Sequence, residues 1–363
     1  MKMWAVLFFL LPLIGVVYIL WHVWQLLPVA TPYKIGAVGL LLAAWMMLFV
    51  NFLFNIDAWN MSMATFVYEV GTSSLFILLY AVMLFLLLDL GRLVHLVPSS
   101  FLHNSLHGSI FVGVVMTALF VYGNLNYRHK VRMPLTLTTR KELPQPMKIV
   151  MMSDLHLGYH NDKKEFARWV DMVNADHADL ILIGGDIIDR HIRPLLHEDV
   201  AQEFHRLNAP VYACLGNHEY YAGNADARKF YEEAGIHLLI DSVAEVNGIN
   251  IIGRDDRTNQ RRKSLKQLMA TVDTSRYTIV LDHQPYHLEE AQREVVDFQL
   301  SGHTHYGQVW PVSWIEDAIY EDAYGPLQKG NTRYFVTSGI GIWGGKFRIG
   351  TQSEYLVASL RNE

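Results

Sequence analysis

Residues 147–158 read Met-Lys-Ile-Val-Met-Met-Ser-Asp-Leu-His-Leu-Gly, an apolar run that leads directly into two candidate metal ligands. The run predicts a short buried strand. Asp154 and His156 follow it one residue apart, and in an extended chain positions i and i+2 point to the same side. We therefore expect a carboxylate and an imidazole to converge just beyond the strand. This combination suits Mn²⁺, Fe²⁺ or Zn²⁺ better than Mg²⁺ or Ca²⁺.

The chain after this strand alternates between predicted helices and strands. Residues 164–174 keep helical spacing of apolar positions, and a second buried strand at 180–183 leads to Asp186. A third strand at 210–215 leads to Asn217 and His218. Polar residues thus stand at every strand end, which predicts a sheet with helices on its faces and a site at the carboxyl edge.

The second half repeats the pattern of strands followed by ligand-type side chains. A buried strand at 277–281 ends in His283, and one at 298–301 delivers His303 and His305. Residues 334–339 and 354–360 are predicted as closing strands.

Ligand-type side chains from five strand ends outnumber what one ion can bind, since one ion takes about four to six ligands. Two ions that share a carboxylate fit the number. Two ions about 3.5–4 Å apart can bind phosphate oxygens and turn a bridging water into a hydroxide nucleophile, which serves phosphoester hydrolysis. The candidate ligands are Asp154, His156, Asp186, Asn217, His283, His303 and His305.

The motifs Asp-x-His, Gly-Asp, Gly-Asn-His-Glu, a lone His after a strand, and Gly-His-x-His, in this order, resemble the series of the calcineurin-like metallophosphoesterases. The resemblance covers residue 147 to the C-terminus and implies a two-sheet β-sandwich flanked by helices. It implies a first metal on Asp154, His156 and His305, and a second on Asn217, His283 and His303. Asp186 would bridge the two ions. His218 would be the catalytic non-ligand histidine, which protonates the leaving oxygen or stabilises charge on the phosphoryl group.

Further features resemble the membrane-attached branch of that family, namely residues 302–308 (Gly-His-Thr-His-Tyr-Gly-Gln) and the tail around 338–354. Relatives of that branch include enzymes that split UDP-2,3-diacylglucosamine on the cytoplasmic face. One departure is Tyr306, which stands where the branch commonly has Gly. Its ring is expected to narrow the pocket beside the second ligand pair.

The first third of the chain predicts a transmembrane bundle of about four helices. The apolar runs are Met3–Leu27, Ile35–Phe54, Ser73–Leu88 and Ser109–Tyr122. We expect a transmembrane region at 1–127, a proline-containing linker at 128–146 and the phosphoesterase domain at 147–363. Lys and Arg in the short loops favour a multi-pass protein of the inner (cytoplasmic) membrane with a cytoplasmic C-terminal domain. His22, His95, His103, His107 and Asp89 either line a polar cavity or lie at span ends.

Composition excludes some functions. The formal charge of -5 argues against a nucleic-acid binder. The single cysteine, Cys214, rules out an intramolecular disulfide framework. The expected partners are the lipid bilayer and a phosphorylated, lipid-linked substrate, and the oligomeric state is left open.

Several other residues have two interpretations each. Arg348 either holds a substrate phosphate through a bidentate contact or forms a surface salt bridge. Asp189, Asp282 and Glu219 either orient ligands or are solvated. A basic cluster contacts anionic lipid headgroups or is a solvated loop. Its members are Arg254, Arg257, Arg261, Arg262 and Lys263.

Two classes of function remain. The first is a membrane-anchored, metal-dependent phosphohydrolase with two divalent ions (Mn, Fe or Zn, with Mn expected to support activity) and a lipid-linked phosphoester or pyrophosphate substrate. Within this class, a nucleotide or cyclic-nucleotide phosphodiesterase and a protein phosphatase are the alternatives. The second class is a catalytically idle membrane scaffold or sensor, which should have lost ligands or His218, whereas this chain retains them all.

Overall fold

The computed structural model describes residues 3–363, with side chains described from residue 12 onward. The chain divides into two compact units. A helical unit runs through Leu125 and includes Gly344–Lys346, and an α/β unit comprises Asn126–Trp343 and Phe347–Glu363.

The helical unit is built from long apolar helices. Their bounds are α1 (Met3–Leu26), α2 (Thr31–Leu53), α3 (Met61–Leu93) and α4 (Leu106–Arg128). By length and composition, α2, α3 and α4 are each able to cross a membrane. The first predicted span falls partly on residues 3–11, whose side chains lie outside the described residues, and the described part, Pro12–Leu26, is apolar but shorter. Helices α2, α3 and α4 are longer than the predicted spans, and α3 continues through polar positions such as Glu69.

A small polar network lies within the helical unit. The Tyr18 hydroxyl donates to Asp89 at 2.7 Å, and Nε2 of His22 lies 3.0 Å from the same carboxylate. Arg92 approaches Asp89 at 3.3 Å. His22 is buried and paired with Asp89, whereas His95, His103 and His107 are exposed.

The α/β unit alternates strands and helices as the sequence indicates. Its strands are β1 (Lys130–Thr139), β2 (Met147–Met152), β3 (Leu180–Ile183), β4 (Val211–Ala213), β5 (His237–Leu238), β6 (Ser242–Val246), β7 (Ile249–Gly253), β8 (Thr278–Leu281), β9 (Phe298–Ser301), β10 (Gly325–Lys329), β11 (Thr332–Val336) and β12 (Ser353–Asn362). Its helices are α5 (Lys163–Ala175), α6 (Arg193–His197), α7 (Ala201–Phe204), α8 (Asn217–Ala222), α9 (Asn224–Glu233), α10 (Leu265–Met269), α11 (Glu289–Arg293) and α12 (Val312–Ile319).

Two six-stranded sheets are formed within the described residues of this unit, in the orders β1-β12-β2-β3-β4-β5 and β10-β11-β9-β8-β7-β6. Successive side chains of a strand point to opposite faces. Ile149 and Met151 of β2 therefore join an apolar core shared with β7, β8 and β9 of the other sheet. Val150 and Met152 join the core beneath α5. The predicted two-sheet sandwich flanked by helices is confirmed.

The predicted linker at 128–146 is wrong over most of its length. Residues 130–139 form β1, which pairs in parallel with β12 from Lys130↔Ser353 to Thr139↔Asn362. β1 lies at the edge of its sheet, where a proline such as Pro134 is tolerated because one side of the strand needs no N–H donor. Its partner is the last strand of the chain, so no local sequence pattern revealed the pairing.

Candidate metal centre

The predicted ligands gather at one edge of the sandwich. Asp154 follows β2, Asp186 follows β3, Asn217 follows β4, and His283 follows β8. His303 and His305 follow β9. The parallel strands β2, β3 and β4, and likewise β8 and β9, bring these residues to their shared carboxyl ends.

The local backbone that aims these side chains is not extended. The φ angles are +56° at Asp154, +45° at His156, +51° at Asp186, +73° at His303 and +49° at His305. The expectation that Asp154 and His156 converge because they alternate along a strand is therefore wrong, since β2 ends at Met152. The side chains converge through left-handed turns, which cost about 1–3 kcal/mol each for non-glycine residues and concentrate at functional sites.

Two glycines let these turns approach one another. A Cβ at Gly216 would collide with the Asp186 carboxylate, and a Cβ at Gly302 would collide with that of Asp154. The glycine before each ligand pair is thus required by close packing of the two ligand-bearing loops.

One group of ligand atoms contains Asp154, His156 and His305. Nε2 of His156 lies 3.0 Å from Nε2 of His305, and Oδ1 of Asp154 lies 3.5 Å from that same His305 atom and 3.8 Å from Nε2 of His156. Asp154 and His156 are fully buried. We call these three residues cluster A.

A second group, which we call cluster B, contains Asp186, His283 and His303, whose ligand atoms lie within 4.8 Å of one another. Oδ2 of Asp186 lies 3.1 Å from Nε2 of His283 and 3.6 Å from Nε2 of His156 in cluster A. A single carboxylate oxygen thus faces both clusters.

The hydrogen bonds of the imidazoles show which nitrogen faces the centre. Nδ1 of His283 donates to the Gly184 carbonyl at 2.7 Å, and Nδ1 of His156 lies 3.2 Å from Oδ1 of Asp189. These bonds keep a proton on each Nδ1, so Nε2 is the nitrogen that faces the centre and that presents a lone pair to a metal once its own proton has been displaced. Nε2 of His283 then faces a carboxylate oxygen, and Nε2 of His156 faces another imidazole nitrogen, contacts that need a cation between them.

Buried ligand atoms without a hydrogen-bond partner also indicate that the site binds cations. Among the described residues, Nε2 of His283, Oδ1 of Asn217 and Nδ1 of His305 are buried without a hydrogen-bond partner. Buried polar atoms in native proteins are normally paired. The set of imidazoles, carboxylates and one amide therefore fits divalent ions of intermediate hardness.

Burial and neighbouring charges shift the pKa values of the cluster residues. Burial alone would raise the pKa of Asp154, but nearby histidines, His305 foremost, hold it below its usual range. Burial would lower the pKa of His156, yet hydrogen bonds to Asp154 and Asp189 raise it to about 10. Burial lowers the pKa of His303 to about 4.

His218 lies beside cluster A without joining it. Its Nδ1 donates to the Asp189 carbonyl at 3.0 Å, and its ring meets that of His156 edge-on with centroids 4.5 Å apart. Its backbone N–H donates to Oδ1 of Asp186 at 2.9 Å. With His156 and Asp189 it forms a third group whose ligand atoms lie within 4.8 Å of one another, so its role as a non-ligand histidine stays a prediction.

The three predicted orienting acids are all buried, so the solvated interpretation is wrong. The Asp189 carboxylate lies within 3.3 Å of both His156 and His218. The Glu219 carboxylate accepts from the backbone N–H groups of Gly216 and Ile188 at 2.7 and 3.0 Å. Asp282 instead pairs with Arg254 and Arg262.

Neither interpretation of Arg348, a surface salt bridge or a bidentate contact with a substrate phosphate, matches the structure. Its guanidinium donates to groups of the protein itself. It is fully buried, and Nη1 donates to the His305 carbonyl at 2.6 Å. Nη2 donates to the carbonyls of Ser338 and Gly341, and Nε to the Ser353 hydroxyl. Arg348 thus fixes the loop that carries His305.

Part of the basic cluster forms ion pairs inside the α/β unit. Arg254 pairs with Asp282 and Glu290, Arg262 pairs with Asp282, and Lys263 donates to the Asp241 carbonyl. Two of the five cations, Arg254 and Arg262, are thus neutralised within the α/β unit, and contact of the cluster with lipid headgroups stays a prediction.

Tyr306 contacts two neighbouring side chains through its ring and its hydroxyl. Its ring stacks on Tyr324 with centroids 4.9 Å apart, and its hydroxyl reaches Asp317 at 3.3 Å.

Two features were missed in the sequence. Asn161 donates to the carbonyls of Leu155 and His156 at 3.0 and 3.1 Å and so supports the first ligand turn. An aromatic pair, Tyr286 and Tyr320, lies next to His303. Both arise from segments that are distant in sequence, and no spacing signals them.

Comparisons with known proteins agree with the geometry. Residues 147–307 match the family model described as calcineurin-like phosphoesterase. An uncharacterised metallophosphoesterase of Aquifex aeolicus is 30% identical over 242 residues, which cover 63% of this chain and 90% of that protein. One from Campylobacter jejuni is 28% identical over 260 residues, 69% of each chain. A transmembrane protein with metallophosphoesterase domain from Danio rerio is 28% identical over 277 residues.

The last match covers 69% of this chain and 62% of the Danio rerio protein, so that relative extends well beyond the matched region. The high coverage of the Aquifex protein, the family match and the paired Asp/His clusters lead to one assignment. The chain belongs to the calcineurin-like metallophosphoesterases and is a metal-dependent phosphoesterase with N-terminal helices apolar enough to span a membrane.

Proposed function

We propose that this chain is a membrane-anchored phosphohydrolase with a dinuclear metal centre, which cleaves a phosphoester or pyrophosphate bond of a lipid-linked substrate. The observation that carries the proposal is the pair of Asp/His clusters faced by one oxygen of Asp186. Asp154, His156 and His305 would hold one ion. His283, His303 and the buried, unpaired Oδ1 of Asn217 would hold the other, and Asp186 would serve both.

Two divalent ions in these clusters would polarise the phosphoryl oxygens and supply hydroxide from water near neutral pH. The donor set favours Mn, Fe or Zn, and we expect Mn to support activity. His218 donates its Nδ1–H to the Asp189 carbonyl, so Nε2 is the nitrogen available to the leaving oxygen. As an imidazolium, His218 would give its Nε2 proton to that oxygen and become the neutral Nδ1–H tautomer. Asp189 positions His156 and His218 together, so the metal ligand and the acid move as one group.

The helical unit motivates the choice of a lipid substrate. A single span suffices as an anchor, yet α2, α3 and α4 are all long and apolar enough to cross a membrane. Arg128 ends α4, and Lys130 and Arg132 follow it. By the positive-inside rule these cations favour a cytoplasmic α/β unit in a cytoplasmic membrane.

The experiment is hydrolysis by the purified full-length protein in detergent with Mn²⁺. Substrates are p-nitrophenyl phosphate, bis-p-nitrophenyl phosphate, a phospholipid panel, UDP-linked lipids, nucleotide esters and a phosphopeptide. His218→Ala and Asp186→Ala test the centre, and His197→Ala is the matched control because His197 is exposed.

Activity on a lipid that His218→Ala and Asp186→Ala abolish, and that His197→Ala retains, is the expected result. Activity confined to nucleotide esters or to the phosphopeptide would replace the lipid by those substrates. Metal binding without hydrolysis of any substrate would favour a membrane scaffold or sensor.

The proposed sidedness has its own test. Cys214 is buried, so a cysteine introduced at the exposed Leu196 is the reactive thiol. We expect Leu196→Cys to resist a membrane-impermeant maleimide in intact cells and to react after lysis. Labelling in intact cells would place the α/β unit on the outer side.

A further inference from the structure

Three side chains from separate segments line the α/β unit next to cluster B. The Tyr320 ring lies 6.2 Å from the imidazole of His303, measured between centroids, and 4.7 Å from the Tyr286 ring. The guanidinium carbon of Arg257 lies 4.1 Å above the Tyr286 ring centroid. All of these side chains are partly exposed. We call Arg257, Tyr286 and Tyr320 the cation shelf.

Arg257 differs from the cations around it. Arg254 is paired with Asp282 and Glu290, both at 2.9 Å, and Arg262 is paired with Asp282 at 2.9 Å. The Arg257 side chain, in contrast, forms no ion pair with any described residue, and its Nη1 is buried without a hydrogen-bond partner. A partly buried, unpaired guanidinium is costly unless a ligand completes it.

The segment that carries Arg257 is fixed. The neighbouring Asp256 carboxylate accepts from Nε2 of Gln284 at 2.8 Å and from the Thr258 hydroxyl at 2.6 Å. Gln284 directly follows His283 of cluster B. Asp256 is therefore occupied by these donors, and it ties the Arg257 loop to the backbone of the metal centre.

The cation–π contact with Tyr286 restrains the guanidinium and so reduces the entropy lost when it binds an anion. A guanidinium held in this way binds carboxylate or phosphate through two parallel hydrogen bonds. Tyr320 of the shelf lies beside the metal ligand His303, an arrangement that would let one substrate molecule present a phosphoryl group to the centre and a second anionic group to Arg257.

We propose that Arg257, held on Tyr286, binds a second anionic group of the substrate, a phosphate or carboxylate beyond the phosphoryl group that is cleaved. This inference rests on the proposed function and narrows its substrate class to molecules with at least two anionic groups. Simple monoesters and bis-p-nitrophenyl phosphate lack the second group and are poor mimics of the substrate.

The test is calorimetric titration of the full-length, Mn²⁺-loaded protein in detergent with three probes. Glycerol 3-phosphate has one anionic group, 3-phosphoglycerate adds a carboxylate, and fructose 1,6-bisphosphate adds a second phosphate. Arg257→Met removes the proposed contact. Arg257→Lys retains the positive charge but cannot donate the two parallel hydrogen bonds of a guanidinium. Arg261→Met is the matched control, since Arg261 is an exposed cation of the same loop.

We expect Arg257→Met to weaken one or both two-anion probes by about 10- to 100-fold, the loss typical of a charged hydrogen-bonded contact. Glycerol 3-phosphate should change by less than about twofold under the same substitution, because it lacks the second charged contact. Arg257→Lys should recover part of the loss. The probe that responds identifies the second group as carboxylate or phosphate.

Equal weakening of all three probes, or an equal effect of Arg261→Met, would overturn the subsite. No effect of Arg257→Met on either two-anion probe would overturn it as well. In these cases hydrolysis of bis-p-nitrophenyl phosphate by the wild type would show that the proposed function stands. Wild-type protein that binds no probe and hydrolyses no ester would overturn both.

Discussion

Replacing Arg348 by methionine is expected to destabilise the α/β unit by about 3 kcal/mol. The substitution keeps a long side chain in a fully buried position but removes every donor. The carbonyls of Ser338 and Gly341 each lose a donor, at about 1–3 kcal/mol per buried carbonyl. The charged hydrogen bond to the His305 carbonyl adds about 1.5–3 kcal/mol.

Removing the buried charge of Arg348 offsets part of this loss of stability. Burial lowers the pKa of Arg348 from 12.5 to about 10. At about 1.4 kcal/mol per pKa unit, the buried charge costs the native state about 3 kcal/mol, which methionine avoids. The gross loss of about 4–9 kcal/mol therefore falls to a net value near 3 kcal/mol.

The assay is thermal unfolding of the full-length protein in detergent without added metal, together with KM for bis-p-nitrophenyl phosphate. About 3 kcal/mol corresponds to a drop in Tm of about 6–12 °C for a domain of this size. Arg361→Met is the control, because Arg361 is exposed at the end of β12. A Tm within about 2 °C of wild type combined with a raised KM would refute this reasoning and restore Arg348 as a substrate contact.

Three other outcomes follow from the site. Asp186→Asn keeps the side-chain size but removes the charge that faces both clusters, so bound Mn should fall below two ions per chain and the rate of hydrolysis should fall about 10- to 100-fold. Two retained ions in a metal analysis would contradict the shared ligand. Metal loading near pH 8 should release about two protons, measured by calorimetry in buffers of different ionisation enthalpy. The reason is that carboxylates outweigh burial and raise the pKa of His156 and His283, so both are protonated before metal binds; release of none would contradict this. Tyr306→Gly should gain about 1 kcal/mol by relieving the strain of a positive φ and lose a similar amount with the stacking on Tyr324, so Tm should shift by less than about 3 °C. A larger drop in Tm would show that the ring is needed for stability.

The sandwich and the candidate ligands could be predicted because both depend on short-range patterns. Each ligand follows a buried strand, and adjacent parallel strands end at one edge. The way in which the ligands converge could not be predicted, since the positive φ at Asp154 and His156 is imposed by packing of loops against each other. A local rule about extended chains gave the correct convergence for a wrong reason.

Other errors came from contacts between distant segments. β1 resembles a linker because it contains Pro134, and its partner β12 is at the other end of the chain. Arg348 has an ordinary polar sequence environment, and only the folded loops around it show that its guanidinium binds carbonyls. The sequence also does not separate Arg257 from the other cations of its loop. Only the structure shows that Arg257 forms no ion pair with a described residue and contacts the Tyr286 ring.

The central claim is that two ions, one in each cluster, perform the hydrolysis. The most direct measurement is the metal content of the purified full-length protein and of His305→Ala and His303→Ala, together with hydrolysis of bis-p-nitrophenyl phosphate before and after chelation. We expect about two ions in the wild type, about one in each variant, and activity that chelation removes and Mn²⁺ restores. A wild type that binds one ion, or activity that persists in the metal-free protein, would contradict the dinuclear centre.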